Sequence, residues 1–588
     1  MKKRFQLFTT LLILSISIFF SYQFSSGGFD SKEFDRNKPT NSVISSKILI
    51  DGNQGWVDFK NAGNCTGQGI LTDPYIIENL IINGSGSAYG IFIKFSDVYF
   101  KITNCSVYNS GTGIELSNVD NGYLVGNNLS FNNYGIELRF SNYNTISGNI
   151  VNNNTADGIR VENWSNNNNI SNNIALNNNY AGIILEDYCD FNQISGNIAN
   201  NNNGAGIALW YSDNNTIDKN IVHYNQDNGI YLYAYSEFFE NNTVRENSVA
   251  DNRLYGINLR GRGRNNRIIN NLMVGNGLMV AGLEMTSNIV PPSNLVNGKP
   301  IYYYINKVGL GSGDFFNAGQ VILENCSNSV INDLNVSYGS VGISLFNSFN
   351  ISIANNQANY NKMYGIYLSS SDLNTILDNE VKFNNMKGIE LDYCQDNIIY
   401  LNNFIGNQYN AQDFIGNNQW DNGVIGNYWD DYDGKDTDDD GIGDTSYSFY
   451  QDAIDNYPIW WDPPALSIIS PIESQEFGNN PPNFIISLDE GNADTMWYSI
   501  NTSSEKYYFT ELNGSISQEL WESIEEGNVK ITFYVSDLHS LIDSQEVNLI
   551  KQIPLKTITI PGYNLIFLLV VISFGVKLIF IRIRRKGF

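Results

Sequence analysis

Residues 181–204 read AGIILEDYCDFNQISGNIANNNNG, and from Ala205 the next stretch, AGIALWYSDNNTIDKNIVHYNQ, repeats the plan. Each copy opens on Gly-Ile and places a small residue, a hydrophobic residue and an Asn at fixed offsets. The opening glycine recurs at Gly90, Gly113, Gly135, Gly158, Gly182, Gly206, Gly229, Gly256 and Gly282, then at Gly342, Gly365 and Gly388, mostly 22–24 residues apart. Self-similarity at such a period marks a solenoid. Within a copy the residues after Gly alternate over a run too short for a helix, which reads as strand. A coil built only of short strands and Asn/Gly turns is one rung of a parallel β-helix. An Asn column (Asn127, Asn149, Asn173, Asn197, Asn220, Asn247, Asn271, Asn356, Asn379, Asn402) fits the same register. Stacked Asn amides can hydrogen-bond along the coil at the ~4.8 Å strand spacing. A small-residue column (Ser96, Ser141, Ser165, Cys189, Ser212, Ser236, Ser348, Ser371, Cys394) accounts for two cysteines as Ser replacements at a tight turn.

The chain has 588 residues and a formal charge of −26, with only 16% of residues charged. So acidic a chain argues against a nucleic-acid partner, which needs a basic patch. Residues 1–27 pair a basic start, Met1-Lys2-Lys3-Arg4, with an apolar run, the pattern of an export signal or N-terminal anchor. Residues 28–42 read as a linker. Near the other end, residues 563–581 are apolar enough for a transmembrane helix, and the basic residues of 582–588 belong on the cytoplasmic side. This layout places the intervening chain at the cell surface, attached to the membrane by the C-terminal helix. The five cysteines show no paired spacing, so no disulfide framework is expected.

The expected order is then an all-β one. A right-handed parallel β-helix with an N-terminal cap covers 43–417, and an acidic, aromatic cap covers 418–462. An immunoglobulin-like β-sandwich of about seven short strands follows over 463–554, before the membrane helix. The surplus between Gly282 and Gly342 is placed in VPPSNLVNGKPIYYYINKVGLGSG, as a loop or hairpin leaving the stack.

Two stretches could carry chemistry. In the acidic cap Asp436, Asp438 and Asp440 stand at alternate positions, followed by Gly441, the Ile442 carbonyl and Asp444, the order of a calcium loop. Tyr447 replaces the closing Glu, so Asp433 or Asp455 would have to complete the shell; the bland alternative is a solvated acidic turn. The second stretch is the outward strand positions, two and four residues after each Gly. They form one column with Glu115, Glu137 and Arg160 and a second with Arg139, Glu162, Glu186, Trp210, Tyr233 and Arg260. Glu162 and Glu186 fall on adjacent rungs, close enough for one carboxyl to have a raised pKa. With Trp210, Tyr211, Tyr231 and Tyr233 alongside, the strip suits contact with a polysaccharide or surface glycan, or catalysis by Glu162, Glu186, Arg139 and Arg160. Ion pairing between neighbouring strands is the plainer reading of the same charges. Copper or zinc would want His, Cys or Met clusters. There are two histidines, and Met273, Met279 and Met285 read as core filler.

The repeats (GIxL…NNTIxxN), the interruption VNGKPIYYY and the closing segment NNFIGN…NGVIGNYWDDYDGKDTDDDGIGDTSY…DNYPI resemble the NosD-like right-handed parallel β-helix family over residues 43–460. That family also carries the label of carbohydrate-binding and sugar-hydrolase repeats. The acidic loop is similar to thrombospondin type 3 calcium repeats, and the whole layout looks like archaeal cell-surface proteins. The resemblance implies a β-helix with a binding or structural role toward glycans. A lyase, epimerase or hydrolase is the runner-up, and a factor maturing a metal site is the third reading. GHG, RIK and DPHD, associated with pectin-cleaving and alginate-epimerising β-helices, are absent.

Overall fold

A computed structural model describes residues 43–552 apart from 416, 439, 451–452, 461–464, 491–492, 502, 504 and 537–541. The expected signal, linker, membrane helix and basic tail lie outside the described residues. Among the described residues no helix is long and apolar enough to cross a membrane. The chain divides into two units at Trp460 and Trp461.

The first unit is a parallel β-helix. Strand Ile159–Glu162 lies in register between Ile136–Arg139 and Ile183–Glu186, and the latter pairs in turn with Ile207–Trp210. Two sheets of eleven and nine strands line two sides of the coil, and the third side runs into a twelve-stranded sheet. Alternation does the packing: Ile159 and Val161 are fully buried, while Arg160 and Glu162 point outward from the same strand. The opening glycines are forced by close approach rather than by an unusual φ. A Cβ on Gly158 would lie 2.6 Å from the carbonyl of Gly182 on the next rung.

The Asn column is a continuous hydrogen-bond ladder. Asn149 donates from its backbone N–H (2.9 Å) and its Nδ2 (3.0 Å) to Asn173 Oδ1, and Asn173 does the same to Asn197. Two further ladders run along other corners, Asn144–Asn168–Asn192 and Asn154–Asn178–Asn202. Each satisfies backbone groups that a tight turn would otherwise bury unpaired. Cys189 and Cys394 are buried, and Cys189 takes the place of Ser, its Sγ reaching Glu186 O at 3.1 Å where Ser165 Oγ reaches Glu162 O. All five cysteines are unpaired.

Two register expectations are corrected. The opening glycine after Gly256 is Gly277, whose carbonyl accepts from Gly256 N, whereas Gly282 pairs with Gly261. Ser236 is exposed; residues inserted before Phe239 bulge out of the strand, and buried Phe239 fills the column. The N-terminal cap contains a helix, Gly52–Asn61, whose Trp56 is fully buried and stacks on Tyr75.

The surplus segment does not leave the stack. Leu295–Val296 continues the third side of the coil, and Lys299–Ile305 then returns antiparallel to it. Every later strand of that sheet runs parallel to Lys299–Ile305, so chain direction is reversed beyond the hairpin. Alternate residues serve opposite cores. Ile301, Tyr303 and Ile322 join the core of the first coil, while Val321, Leu323 and Ile343 form that of a second. A coil of the same hand can follow a reversed strand only by using the opposite face of the sheet. The second coil ends beyond the expected boundary, with Tyr428–Trp429 pairing on Asn403 and Phe404. Trp420, Trp429 and Phe404 close its end, Trp429 stacking on Phe404 at 4.6 Å.

The second unit has a three-stranded and a five-stranded sheet over one core that includes Phe484, Trp521 and Phe533. It also contains a short helix, Gln518–Ser523, and one parallel pair, neither expected from the strand pattern.

Candidate functional site

The outward columns assemble as the spacing predicts. Glu115, Glu137 and Arg160 are register neighbours, as are Arg139, Glu162, Glu186, Trp210, Tyr233 and Arg260. Arg139 reaches Glu137 at 2.6 Å and Glu162 at 2.7 Å, while Arg160 reaches Glu162 at 2.7 Å, Asp157 at 3.3 Å and also Glu186. Each acid from Glu137 to Glu186 therefore has an arginine partner, in a network that is half-buried rather than solvated. Burial pushes the Glu186 carboxyl up to about 7; Arg160 opposes the shift and the charge of Glu162 reinforces it. Glu115 is also raised, again chiefly by burial. Toward the next rungs the strip turns aromatic. Trp210, Tyr211 and Tyr231 all have ring centroids within 6.4 Å of Tyr233.

Beside this strip lies a feature missed in the sequence. Phe140, Trp164 and Tyr188 stack in a ladder at 6.1 and 5.5 Å, each more than 40% exposed. All three have positive φ, between 51° and 63°. Bulky residues rarely adopt that conformation in general, but on this coil it recurs at the corners, at Phe131, Phe191, Tyr211, Tyr224 and Tyr360 among others. The signal was present: an aromatic residue directly precedes the small column at Phe140, Trp164, Tyr188 and Tyr211.

In the acidic loop Asp436, Asp438 and Asp440 bring one carboxylate oxygen each within 4.8 Å of one another. Mutual repulsion, with Asp440 the largest contributor, raises the Asp438 carboxyl. Ile442 follows directly, donating its N–H to Asp440 at 3.0 Å. Asp444 is turned to Thr437, accepting its backbone N–H at 3.0 Å. Asp455 is not available to the loop. It is fully buried and ends the Asn ladder, accepting from Asn427 N at 2.7 Å and Trp429 Nε1 at 2.9 Å.

The family described as "right handed beta helix region" matches residues 46–214, and that described as "periplasmic copper-binding protein (NosD)" matches 163–288 and 313–434. These matches cover both coils. The repeat region is a NosD-like right-handed β-helix. No curated protein matches the chain significantly. Among solved structures, the A-module of a mannuronan C-5 epimerase from Azotobacter vinelandii is 12% identical, covering 66% of this chain and 91% of that one with a TM-score of 0.23. A mutant periplasmic alginate epimerase is 16% identical over 56% and 89% of the two chains, TM-score 0.29. The catalytic domain of an α-1,3-glucanase is 13% identical over 66% of each, TM-score 0.27. Scores this low carry no argument about a site or an activity.

The NosD-like coils offer copper little. His223 Nε2 is 3.0 Å from Ser248 Oγ, Met273, Met279 and Met285 are core residues, and four of the five cysteines are buried. The one group of three His, Cys, Asp or Glu with converging ligand atoms among the described residues is the Asp436 trio, whose hard oxygens do not suit copper.

Proposed function

We propose that this is an exported surface protein whose first coil makes contact with glycans. The observation that carries the reading is the exposed ladder Phe140–Trp164–Tyr188 beside the Arg/Glu strip. Flat apolar faces next to fixed hydrogen-bonding groups are what a sugar ring can use. A binding role suits the strip better than catalysis, because its acids are already paired. The raised Glu186 is the feature that favours the enzymatic alternative, a proton donor held near neutrality. In this reading the second unit is an immunoglobulin-like spacer, and residues 563–581 anchor the chain in the membrane. A panel of polysaccharides immobilised and probed with the purified protein tests it. Trp164→Ala together with Tyr188→Ala should weaken retention of the bound polymer at least tenfold and leave the melting temperature within a few degrees. Unaltered retention would overturn the reading, and release of shortened or epimerised product would favour the enzyme.

The acidic loop is proposed to hold a structural calcium ion through Asp436, Asp438 and Asp440, with the Ile442 carbonyl and Asp444 at the remaining loop positions. A cation relieves the repulsion among these carboxylates and stabilises the cap by mass action. Chelation should therefore lower the melting temperature by several degrees, with a change in tryptophan fluorescence because Trp420 and Trp429 pack in the same cap. Asp438→Ala with Asp440→Ala should abolish the calcium dependence. Identical melting curves with chelator and with excess calcium would leave the loop a solvated turn.

A further inference from the structure

The reversed sheet does more than start a second coil. Its strands pass along the last rung of the first coil, where the Gln320 amide bonds both ways to Leu278, accepting from its N–H at 2.9 Å and donating to its carbonyl at 2.6 Å. Ser340 Oγ accepts from Gly277 N and donates to Leu254 O, both at 2.9 Å, and Lys362 Nζ donates to Asn252 O at 2.9 Å. The outer face of the second coil is thus held against the outer face of the first. From this contact the faces part. Along one register row of the second coil, Val341 is buried, Tyr364 and Lys387 are half-buried and Tyr409 is 60% exposed. The result is a wedge-shaped corner, which the strip of the first coil enters at Tyr233 and Arg260.

Among the described residues, three observations mark this corner as unfinished. Asn258, 3% exposed on the wall of the first coil, has an Oδ1 with no hydrogen-bond partner. Ser344, 1% exposed on the facing wall, has an unpartnered Oγ. Buried polar atoms without partners are costly and rare, so two in one corner point to something that satisfies them. Arg260 is exposed and makes no ion pair among the described residues, unlike Arg139 and Arg160 in the same strip and Arg262 and Arg264 just beyond it. In a chain of formal charge −26, a free guanidinium at the mouth of a cleft is an anion site in waiting. The walls also carry phenols, with Tyr231 and Tyr255 on one side and Tyr364 and Tyr367, stacked at 5.2 Å, on the other, where the buried Glu390 lies in register with Tyr367 and is paired with Lys387.

We infer that this corner binds the end of an acidic glycan, with Arg260 taking a sugar carboxylate and the buried Asn258 and Ser344 oxygens taking its hydroxyls. The chemistry selects the class. Asn258 Oδ1 needs a donor, Ser344 Oγ can pair with a hydroxyl, the tyrosines offer ring faces, Glu390 is already answered by Lys387, and the arginine is left to call for a negative charge. The inference shares with the proposed function the idea of a glycan ligand and the far end of the strip, but not the ladder Phe140–Trp164–Tyr188.

Short oligogalacturonates and the matching neutral oligogalactosides, titrated into the full-length protein at fixed calcium, test it. The acidic series should bind at least tenfold tighter than the neutral one. Arg260→Gln should remove that preference. Ser344→Ala should weaken the acidic ligand about tenfold while leaving the melting temperature unchanged or higher, because it deletes an unsatisfied buried hydroxyl; a merely structural serine would lower it. Equal binding of both series, or Arg260→Gln and Ser344→Ala variants that bind like the parent, would overturn the corner site. If the Trp164→Ala, Tyr188→Ala variant alone then lost polymer retention, the surface reading would survive without it.

Discussion

Asn197→Ala should cost the first coil on the order of 4 kcal/mol. The amide makes four hydrogen bonds. Its Oδ1 accepts from Asn173 N (2.9 Å) and Nδ2 (3.0 Å), and its Nδ2 donates to Ile170 O (2.9 Å) and Asn220 Oδ1 (3.0 Å). Ala leaves all four partners in a corner where Asn173, Asn197 and Asn220 are fully buried, and each buried unpaired group costs about 1–3 kcal/mol before relaxation. Asn197→Asp should be worse near neutral pH, because it keeps the acceptor, loses both donations and buries a charge. Denaturant unfolding gives the size of the loss, and hydrogen exchange should place it at rungs on either side of 197. A loss below 1 kcal/mol would mean that water or backbone relaxation replaces the ladder.

Gly182→Ala should be about as damaging, for a reason unrelated to turn conformation. The new Cβ would lie 2.7 Å from Gly206 O, 2.8 Å from Asn202 Nδ2 and 3.1 Å from Ala199 Cβ. Two of those neighbours belong to the backbone and ladder of the next rung, so relief requires the rungs to part, an overpacking cost of roughly 3 kcal/mol. Gly126 makes the contrast. Its φ is +67° and a Cβ there meets nothing within 4 Å, so Gly126→Asn should cost well under 1 kcal/mol. Elsewhere on the coil Asn172, Lys219 and Glu246 hold a similar positive φ without glycine. Similar losses for the two variants would show that conformation, not space, selects glycine at the opening position.

These two columns also show why much of the fold was legible. A feature repeated a dozen times needs only its period to be seen, and the period fixes which residues become neighbours. The charged strip follows from that arithmetic, which by the period alone places Arg139, Glu162 and Glu186 side by side. What happens once has no period. The reversal at Val296–Lys299 depends on one hairpin, so the second coil's facing wall and the orphaned Asn258 and Ser344 were invisible. Gly282 was misplaced because LMVAGL carries a glycine at a plausible interval; Gly277 holds the opening register, while Gly282 answers a separate demand, a Cβ there meeting Gly261 O at 2.0 Å. Ser236 was misplaced because a bulge breaks the count without breaking the sheet. In the acidic loop the alternation of Asp436, Asp438 and Asp440 was readable, but the engagement of Asp455 with Asn427 and Trp429 was not, since sequence distance says nothing about which carboxylate the cap consumes.

The bulge before Phe239 has a wider consequence. It adds residues between Tyr233 and Phe239, yet Asn242 and Asn247 still take their places in the ladders, so the surplus is expelled rather than passed along the chain. Length changes in this protein therefore come in two currencies. A fragment of a copy becomes a surface excrescence at one rung and leaves every other spacing intact. A whole copy lengthens the coil by one strand spacing, about 4.8 Å, and carries the stretch before it away from the corner. The coil is in that sense a ruler, on which the separation between the aromatic ladder and the corner can be reset in fixed steps while each keeps its own geometry.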